Sequence, residues 1–276
     1  MKRGEIYSLP AVDSLPLRAA VCGLNDCDPI YYNKRECSNI TVLGHILKGH
    51  GTIKVESASH SLSAGDTFIL PKYTYHEVSA DPDASDDNRW VYIWINLEDD
   101  FVLELLRACG LEYVYRVHHE EILTFFEQFL SKAAVFNFQD SPTAAASNFA
   151  SLIFQIIHTL GLANQREKQH VSPFASSLQE YILKHLETRI TINELAQHFS
   201  MSARSFNNLC KRELGVTPYQ LVLEEKLKLA CRLLEQTNLP IQQVADRLCF
   251  ADMYYFSNLF KQKTGVSPTQ YRKAAH

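Results

Sequence analysis

The sequence has no apolar run long enough to cross a membrane. Its most apolar stretch, Phe149–Leu162, is interrupted by Ser151, Gln155 and His158, and it is shorter than the roughly 20 residues that a membrane-spanning helix needs. The N-terminal segment MKRGEIYSLP has no apolar run behind its basic residues, so we expect no signal peptide. These absences predict a cytoplasmic protein with no membrane partner.

Cysteine is present, but its number and spacing fit neither a disulfide framework nor a zinc site. The chain has 7 cysteines, an odd number, and none of them forms a Cys-x-x-Cys pair. Disulfide-rich domains carry even numbers of cysteines, and structural zinc sites commonly use such pairs. The pattern indicates reduced thiols, as in the cytoplasm.

Neither sign of charge is in large excess, but the charge is divided unevenly along the chain. From Pro173 onward there are 13 basic and 9 acidic residues, a net charge of +4. The preceding part holds the other 14 of the 27 basic and 22 of the 31 acidic residues, a net charge of −8. A basic C-terminal part is compatible with DNA binding, although this excess is weak evidence by itself.

Two segments in the C-terminal part of the chain carry the same pattern. One set of positions recurs at an offset of 49 and another at an offset of 50. The extra residue falls in the turn between two short helices, where length changes are tolerated. The first set pairs Ile192, Leu195 and Ala196 with Ile241, Val244 and Ala245, and the second pairs Phe206, Leu209, Lys211, Gly215 and Pro218 with Phe256, Leu259, Lys261, Gly265 and Pro268.

Each copy of the repeat predicts a helix-turn-helix. In the first copy, a short amphipathic helix with Ile192, Leu195 and Ala196 on its buried stripe precedes a turn and a second helix. Ser202 is the predicted N-cap of that second helix, and Asp252 takes the same place in the second copy. A helix-turn-helix presents its second helix to the major groove of DNA.

The faces opposite the buried stripes carry side chains that can contact base edges. Lysines near the ends of the second helices suit phosphate contacts. The sequence therefore predicts double-stranded DNA as a partner, and a tandem helical bundle without nucleic acid is the alternative. The candidate DNA-binding residues are Ser202, Ala203, Arg204, Asn207, Asn208 and Lys211 in the first copy, and Met253, Tyr254, Ser257, Asn258 and Lys261 in the second.

The second copy reads I-x-x-V-A-x-x-x-x-F-x-x-x-x-Y-F-x-x-x-F-K-x-x-x-G-x-S-P-x-x-Y-R, which resembles the signature of the AraC/XylS transcription regulators. The resemblance covers about residues 173–273 and implies two helix-turn-helix motifs. The chain departs from the family pattern at two positions. Cys249 stands where the family usually has Gly, and Lys226 stands where it usually has Arg. Glycine accepts a positive φ more easily than other residues, so Cys249 leaves the geometry of the second turn open.

The N-terminal part predicts an antiparallel β structure. The segments Ile40–Leu47, Gly51–Glu56, Thr67–Leu70 and Arg89–Leu97 are short, β-branched or aromatic, and separated by turn residues. Leu62–His76 is similar to the second motif of the cupin barrels, a domain that many AraC relatives carry. The predicted fold class is therefore multidomain α+β, with a cupin-like barrel followed by an all-α double helix-turn-helix.

The histidines of this part do not follow the pattern of a metal-binding cupin. The chain has no His-x-His pair, and His45 and His50 are an odd number of residues apart, which points them to opposite faces of one straight strand. We expect no metal and no cofactor, and hence no enzyme activity. The alternative function is a cupin-type metal-dependent enzyme with an accessory DNA-binding module.

A small-molecule pocket is a better hypothesis for the barrel. Trp90, Tyr92 and Trp94 alternate along one predicted strand and so share a face. The region is similar to the sugar-binding barrel of arabinose-type regulators, which implies effector contacts from Arg35 and Trp90. The candidate effector-binding residues are Arg35, His76, Trp90 and Tyr92. The alternative is that the tryptophans are core residues and Arg35 a solvated surface charge.

Helices are predicted at Phe101–Ala108, His119–Phe136 and Pro142–Leu162. We expect one of the two longer helices to pack under the barrel and the other to pair two subunits. A polar linker, 164–173, then separates an effector-binding and dimerisation domain (1–163) from a DNA-binding domain (174–276). The predicted function is a homodimeric, sequence-specific transcription regulator. We expect an activator, with RNA polymerase as a further partner, that responds to a sugar or related metabolite.

Overall fold

The computed structural model describes residues 4–10, 12, 16–56, 58–82, 89–112, 114–136, 141–167 and 173–275. The chain divides into two compact units, residues 1–169 and 170–276. Within the described residues, the first unit contains two antiparallel sheets and three α-helices, and the second unit is helical. The predicted fold class is confirmed.

The two sheets of the first unit have six and four strands. The larger has the strand order β1-β2-β9-β4-β7-β10 and the smaller the order β3-β8-β5-β6. All the pairings between neighbouring strands are antiparallel. The strands are β1 (Ile6–Ser8), β2 (Ala19–Cys27), β3 (Tyr32–Arg35), β4 (Thr41–Lys48), β5 (His50–Val55), β6 (Ala58–Ser63), β7 (Asp66–Leu70), β8 (His76–Ala80), β9 (Trp90–Leu97) and β10 (Arg116–His118).

The larger sheet is covered on both faces, because successive residues of its central strands enter different cores. In β7, Phe68 and Leu70 belong to the core shared with the smaller sheet, whereas Ile69 belongs to the core shared with the helices. In β9, Trp90 and Tyr92 face the smaller sheet, and Ile93 faces the helices. A strand buried on both faces has a continuous apolar run. All of β7 is buried, and its run Phe68–Leu70 has this pattern, although the strand begins with the polar residues Asp66 and Thr67.

Helices α1 (Phe101–Ala108), α2 (Leu123–Val135) and α3 (Pro142–Glu167) complete the first unit. The bounds of α1 are as predicted. The second predicted helix begins later, because a 3-10 turn, Glu120–Ile122, precedes α2. The third continues to Glu167, so the first four residues of the predicted linker are helical. The rest of that linker up to residue 172 lies outside the described residues.

Helix α3 is long and apolar enough, by length and composition alone, to cross a membrane. One face of the helix is instead buried in the core that it shares with the larger sheet, whereas Phe154 and Leu162 are exposed. Its inner face therefore has the environment of a core helix. Helix α2 also contributes Phe126 and Phe129 to this core, so both of the longer helices pack on the sheet. The buried residues are Phe149, Leu152, Ile153, Ile156, Ile157 and Leu160.

The second unit consists of α4 (Pro173–Lys184), α5 (Ile192–His198), α6 (Ala203–Leu214), α7 (Pro218–Gln236), α8 (Ile241–Arg247), α9 (Met253–Thr264) and α10 (Pro268–Ala275). Leu195, Ala196, Phe206 and Cys210 pack in one core cluster, as the repeat predicted. Ile192 does not: the prediction that it is buried is wrong, since 37% of its surface is exposed. It is the first residue of α5 and does not belong to that core cluster.

Candidate nucleic-acid interface and effector cavity

Helices α6 and α9 begin and end in the same way. Ser202 Oγ accepts a hydrogen bond of 3.2 Å from the amide of Ser205, and Asp252 Oδ1 accepts one of 2.7 Å from the amide of Tyr255. Both helices are followed by a glycine in the left-handed region, with φ of 72° and 79°. The two caps that the sequence predicted are confirmed.

The two helices also bury equivalent side chains and expose equivalent faces. Phe206 and Cys210 of α6 are fully buried, as are Phe256 and Phe260 of α9. The candidate DNA-binding residues lie on the remaining surface. Ser202, Arg204, Asn208, Lys211, Tyr254, Asn258 and Lys261 are exposed, and Ala203, Asn207, Met253 and Ser257 are half-buried. The structure thus places the predicted contacts on one face of each helix, where a duplex can reach them.

The turns between the helices of each motif require the left-handed conformation. Ser200 has φ of 56° and Cys249 has φ of 54°, and these residues correspond at the repeat offset of 49. This conformation costs glycine little conformational free energy, and it is strained for a residue with a Cβ. The geometry explains why a glycine is usual at this position, and it shows that Cys249 keeps the turn. Its Sγ atom lies 3.5 Å from the carbonyl oxygen of Glu187.

Lys226 of α7 joins the two motifs. Its side chain is buried, and its Nζ donates hydrogen bonds to the carbonyl oxygens of Leu248, at 2.7 Å, and Thr188, at 3.4 Å. Leu248 is the C-cap of α8, so the ammonium group lies at the negative end of that helix. Burial lowers the pKa of Lys226 below its usual value.

A cavity of about 160 Å³ lies in the first unit. A volume of this order holds one small molecule. Three of the four predicted effector-binding residues line it, Arg35, His76 and Tyr92. Trp94 lines it as well, and no carboxylate is among the described residues of its wall. The other lining residues are Asn25, Tyr31, Asn33, Val42, Phe68, Leu70, Val78 and Asn96.

A hydrogen-bond network fixes the aromatic side of the cavity. Asn25 Nδ2 donates to the hydroxyl of Tyr92 at 2.7 Å, and Trp94 Nε1 donates to Asn25 Oδ1 at 2.9 Å. The hydroxyls of Tyr31 and Tyr92 are 2.9 Å apart. Burial raises the pKa of Tyr92 well above its usual value, so its phenol stays protonated. Asn25, a half-buried residue of β2, is not among the residues predicted from the sequence, and its polar side chain between Leu24 and Cys27 gave no distinct signal.

His76 and Arg35 face each other across neighbouring strands, since they are paired in the register of β8 with β3. His76 is only 2% exposed, and within the described part of the chain its Nδ1 atom has no hydrogen-bond partner. Burial, with a smaller effect from the charge of Arg35, lowers the pKa of His76 to about 4. A neutral imidazole beside a guanidinium therefore faces the cavity.

Trp90 does not belong to the cavity wall, in contrast to its predicted role. It is fully buried in the core between the sheets, with its ring centroid 4.8 Å from that of Tyr92. A Cβ at Gly51 would come within 2.5 Å of the indole, so Trp90 packs directly on that backbone. The sequence placed Trp90, Tyr92 and Trp94 on one face, and the structure brings only the last two to the cavity.

Among the described residues, no group of three or more His, Cys, Asp or Glu side chains could hold a metal ion. His45 is buried, 2.9 Å from Thr67 Oγ1 through its Nδ1 atom, and its ring stacks on Phe126. His50 is exposed. The two histidines thus differ in environment, and His45 has the surroundings of a core residue.

Comparison with known proteins connects the two units to known domains. Residues 18–182 match the AraC-like ligand binding domain, and residues 195–274 match a helix-turn-helix domain. The chain is 28% identical over 247 residues to the MmsAB operon regulatory protein of Pseudomonas aeruginosa, covering 87% of this chain and 77% of the relative. It is 25% identical over 276 residues to the raffinose operon transcriptional regulatory protein RafR of Pediococcus pentosaceus, covering 97% and 98%.

A third relative carries the name of another sugar operon. The arabinose operon regulatory protein of Escherichia coli is 24% identical over 244 residues, with coverage of 84% of this chain and 80% of the relative. The ligand-binding match alone extends over more than half of the chain, and the helix-turn-helix match covers the helices whose geometry is described above. The chain belongs to the AraC family of transcription regulators, with a ligand-binding domain and a helix-turn-helix DNA-binding domain.

Proposed function

We propose that the protein is a transcription activator, acting in the cytoplasm, that responds to a sugar or a related polyhydroxylated metabolite. The observation that carries the effector class is the cavity of the first unit, which combines an indole, a phenol, amides and a guanidinium. A flat aromatic face stacks on the C–H side of a sugar ring, and directed donors bind its hydroxyls. The names of the raffinose and arabinose relatives support the same class.

The proposed effector contacts are Trp94, Tyr92, Arg35 and His76. Trp94 is half-buried and held by Asn25, so its ring is rigid before the ligand arrives. His76 offers a buried nitrogen without a partner in the described residues, and a ligand hydroxyl can supply that missing hydrogen bond. Leaving such a group unpaired costs about 1–3 kcal/mol. An effector that supplies this hydrogen bond to His76 therefore gains binding free energy.

On the DNA side, α6 and α9 are the proposed recognition helices, and Lys211 and Lys261 the phosphate contacts. Helix α7 connects the two motifs and has 19 residues, a length of roughly 28 Å at 1.5 Å per residue. Successive major grooves on one side of a duplex are about 34 Å apart. One subunit therefore suits two major-groove contacts about 10 bp apart.

The proposed active form is a homodimer. The outer surface of α3 exposes Phe154 (48%) and Leu162 (45%), and Val135 at the end of α2 is 80% exposed. Apolar side chains on the outside of helices suit a partner helix of a second copy. The domain division that we propose is the one predicted from the sequence (1–163, 164–173 and 174–276), although α3 extends through the first four residues of its linker. An activator additionally contacts RNA polymerase.

The test uses the purified full chain with DNA selected from a random pool. Fluorescence anisotropy measures its affinity for the selected site with and without a panel of sugars, and sedimentation measures its oligomeric state. We expect one class of sugar to change the affinity or the arrangement of the dimer on DNA. Failure to select any DNA sequence contradicts the proposal. Metal analysis of the same preparation tests the alternative of a cupin-type metal-dependent enzyme. A stoichiometric bound metal would support that alternative and contradict the proposal.

A further inference from the structure

The two recognition helices are equivalent in position but different in chemistry. They share an N-cap, two buried positions and a left-handed glycine at the C-terminal end, so their residues correspond at an offset of 50. At the first two helical positions α6 has Ala203 and Arg204, and α9 has Met253 and Tyr254. The first-turn residues of a recognition helix are those that reach base edges.

Tyr254 is a large aromatic side chain exposed to solvent. It is 75% exposed, and within the described residues it has neither a hydrogen bond nor a ring contact. Its neighbour Tyr255 differs, because the hydroxyl of Tyr255 lies 2.7 Å from that of Tyr219 on α7. Tyr255 thus belongs to the packing of the unit, and Tyr254 is left for a partner.

Arg204, at the corresponding position of α6, is likewise exposed and has no ion pair with the described residues. A guanidinium forms two parallel hydrogen bonds to O6 and N7 of guanine. A phenol ring and a thioether cannot form this pair of parallel hydrogen bonds. They offer apolar surface, and the apolar feature of the major groove is the C5-methyl group of thymine.

Unlike the first-turn residues, one lysine of each helix is the same in both motifs. Lys211 and Lys261 correspond at the same offset, are both exposed and lie one turn before the C-terminal end of their helices. A phosphate contact, which carries no sequence information, is therefore available at this position in both motifs. Arg204 and the pair Met253 and Tyr254, in contrast, differ at positions that read bases.

We propose that the two motifs read DNA by different chemistry: α6 reads guanine through Arg204, and α9 reads thymine methyl groups through Met253 and Tyr254. The inference rests on the proposed DNA-binding function. It makes the site of one subunit asymmetric, with a guanine in one major-groove patch and thymines in the patch one turn away. An operator of this kind also fixes the direction in which each subunit lies.

The test is an exchange of single atoms and groups in the DNA. The full chain is bound to a site selected from a random pool, and deoxyuridine replaces thymine in one patch at a time. Deoxyuridine removes only the methyl group. We expect about a four-fold loss of affinity for each contacted methyl, the fold-change that corresponds to about 0.8 kcal/mol for one buried methylene-sized group. The loss occurs in the α9 patch, and 7-deazaguanine weakens binding in the α6 patch.

Variants of α9 test whether the thymine patch belongs to that helix. Tyr254→Phe keeps the ring, so it retains the preference for thymine over deoxyuridine, whereas Tyr254→Ala and Met253→Ala reduce it. Tyr255→Phe is the matched control and leaves the preference unchanged. Circular dichroism confirms that each variant is folded. A preference for thymine that survives in both alanine variants, or equal responses of both patches to deoxyuridine, overturns the inference. If no DNA is bound with sequence preference, the proposed function fails instead.

Discussion

Lys226 Nζ donates a hydrogen bond of 2.7 Å to the carbonyl oxygen of Leu248. The bond connects the middle of α7 to the residue that ends α8, directly before the turn that leads into α9. A cation at the C-terminal end of a helix interacts favourably with the helix dipole and satisfies a carbonyl that has no partner within the helix. The contact therefore holds the second motif against the connecting helix.

Lys226→Met removes this charge and keeps a side chain of similar length. We expect the free energy of unfolding to fall by about 1–3 kcal/mol, because the buried Leu248 carbonyl loses its donor. Lys226→Arg is the control and should retain most of the stability, since a guanidinium can donate to the same carbonyl. Urea unfolding followed by circular dichroism measures both. Equal stabilities for the Met and Arg variants would show that packing, not the hydrogen bond, accounts for this residue.

Cys249→Gly should make the protein more stable. The positive φ of 54° at this position costs a residue with a Cβ about 1–2 kcal/mol, and glycine avoids part of that cost while adding freedom to the unfolded chain. We expect a net gain of about 1 kcal/mol, measured by urea unfolding. Ser200→Gly in the first motif is the matched change and should act in the same direction. A loss of stability in both variants would contradict the strain assigned to these turns.

The repeat predicted the second unit well because its information is local. Caps, apolar spacing and terminal glycines each lie within a few residues of the element that they define, so Ser202, Asp252, Gly215 and Gly265 could be assigned from the sequence alone.

Strand β2 (Ala19–Cys27) of the first unit was not predicted from the sequence. Its residue Asn25 interrupts the β pattern because it lines a cavity whose other wall comes from distant parts of the chain.

The stability of the first unit should decrease in mild acid. Burial lowers the pKa of both His45 and His76 to about 4, below the value of about 6.5 in the unfolded chain. As the pH falls below 6.5 the unfolded chain takes up protons that the folded chain excludes. The free energy of unfolding therefore declines down to about pH 4. His45→Gln should flatten this decline, and an unchanged pH profile of thermal unfolding in the variant would contradict the assignment.

Specificity and affinity for DNA should depend on different residues. Arg204→Ala should relax the sequence preference at one or two base pairs, by roughly 1–3 kcal/mol for a lost bidentate contact. Lys261→Ala should weaken binding to all sequences and reduce the salt dependence by about one phosphate contact. Anisotropy titrations on matched and mismatched sites at several salt concentrations separate the two effects. If Arg204→Ala weakens every sequence alike, this residue contacts the backbone.

The two tryptophans of β9 show which property of the effector domain could not be predicted from the sequence, namely the depth at which each side chain lies. Alternation along β9 places Trp90, Tyr92 and Trp94 on one face, but it does not say how deep each side chain lies. The depth is decided by the residue on the facing strand. Gly51 leaves room for the indole of Trp90 between the sheets, and Trp94 lies where the sheets enclose a cavity. Only the three-dimensional pairing of strands distinguishes the core residue from the pocket residue.

Trp94→Ala should abolish the response to the effector while leaving the fold and the basal affinity for DNA intact. The half-buried ring lines the cavity, so its removal deletes the stacking surface without opening the core. Trp90→Ala should instead lower the free energy of unfolding by about 3–5 kcal/mol, because it empties a fully buried position. Since the chain has two tryptophans, Trp90→Phe leaves Trp94 as the only indole emitter, and its fluorescence should change when the effector binds. A full effector response in Trp94→Ala, together with a stable Trp90→Ala that does not respond, would return the effector contact to Trp90.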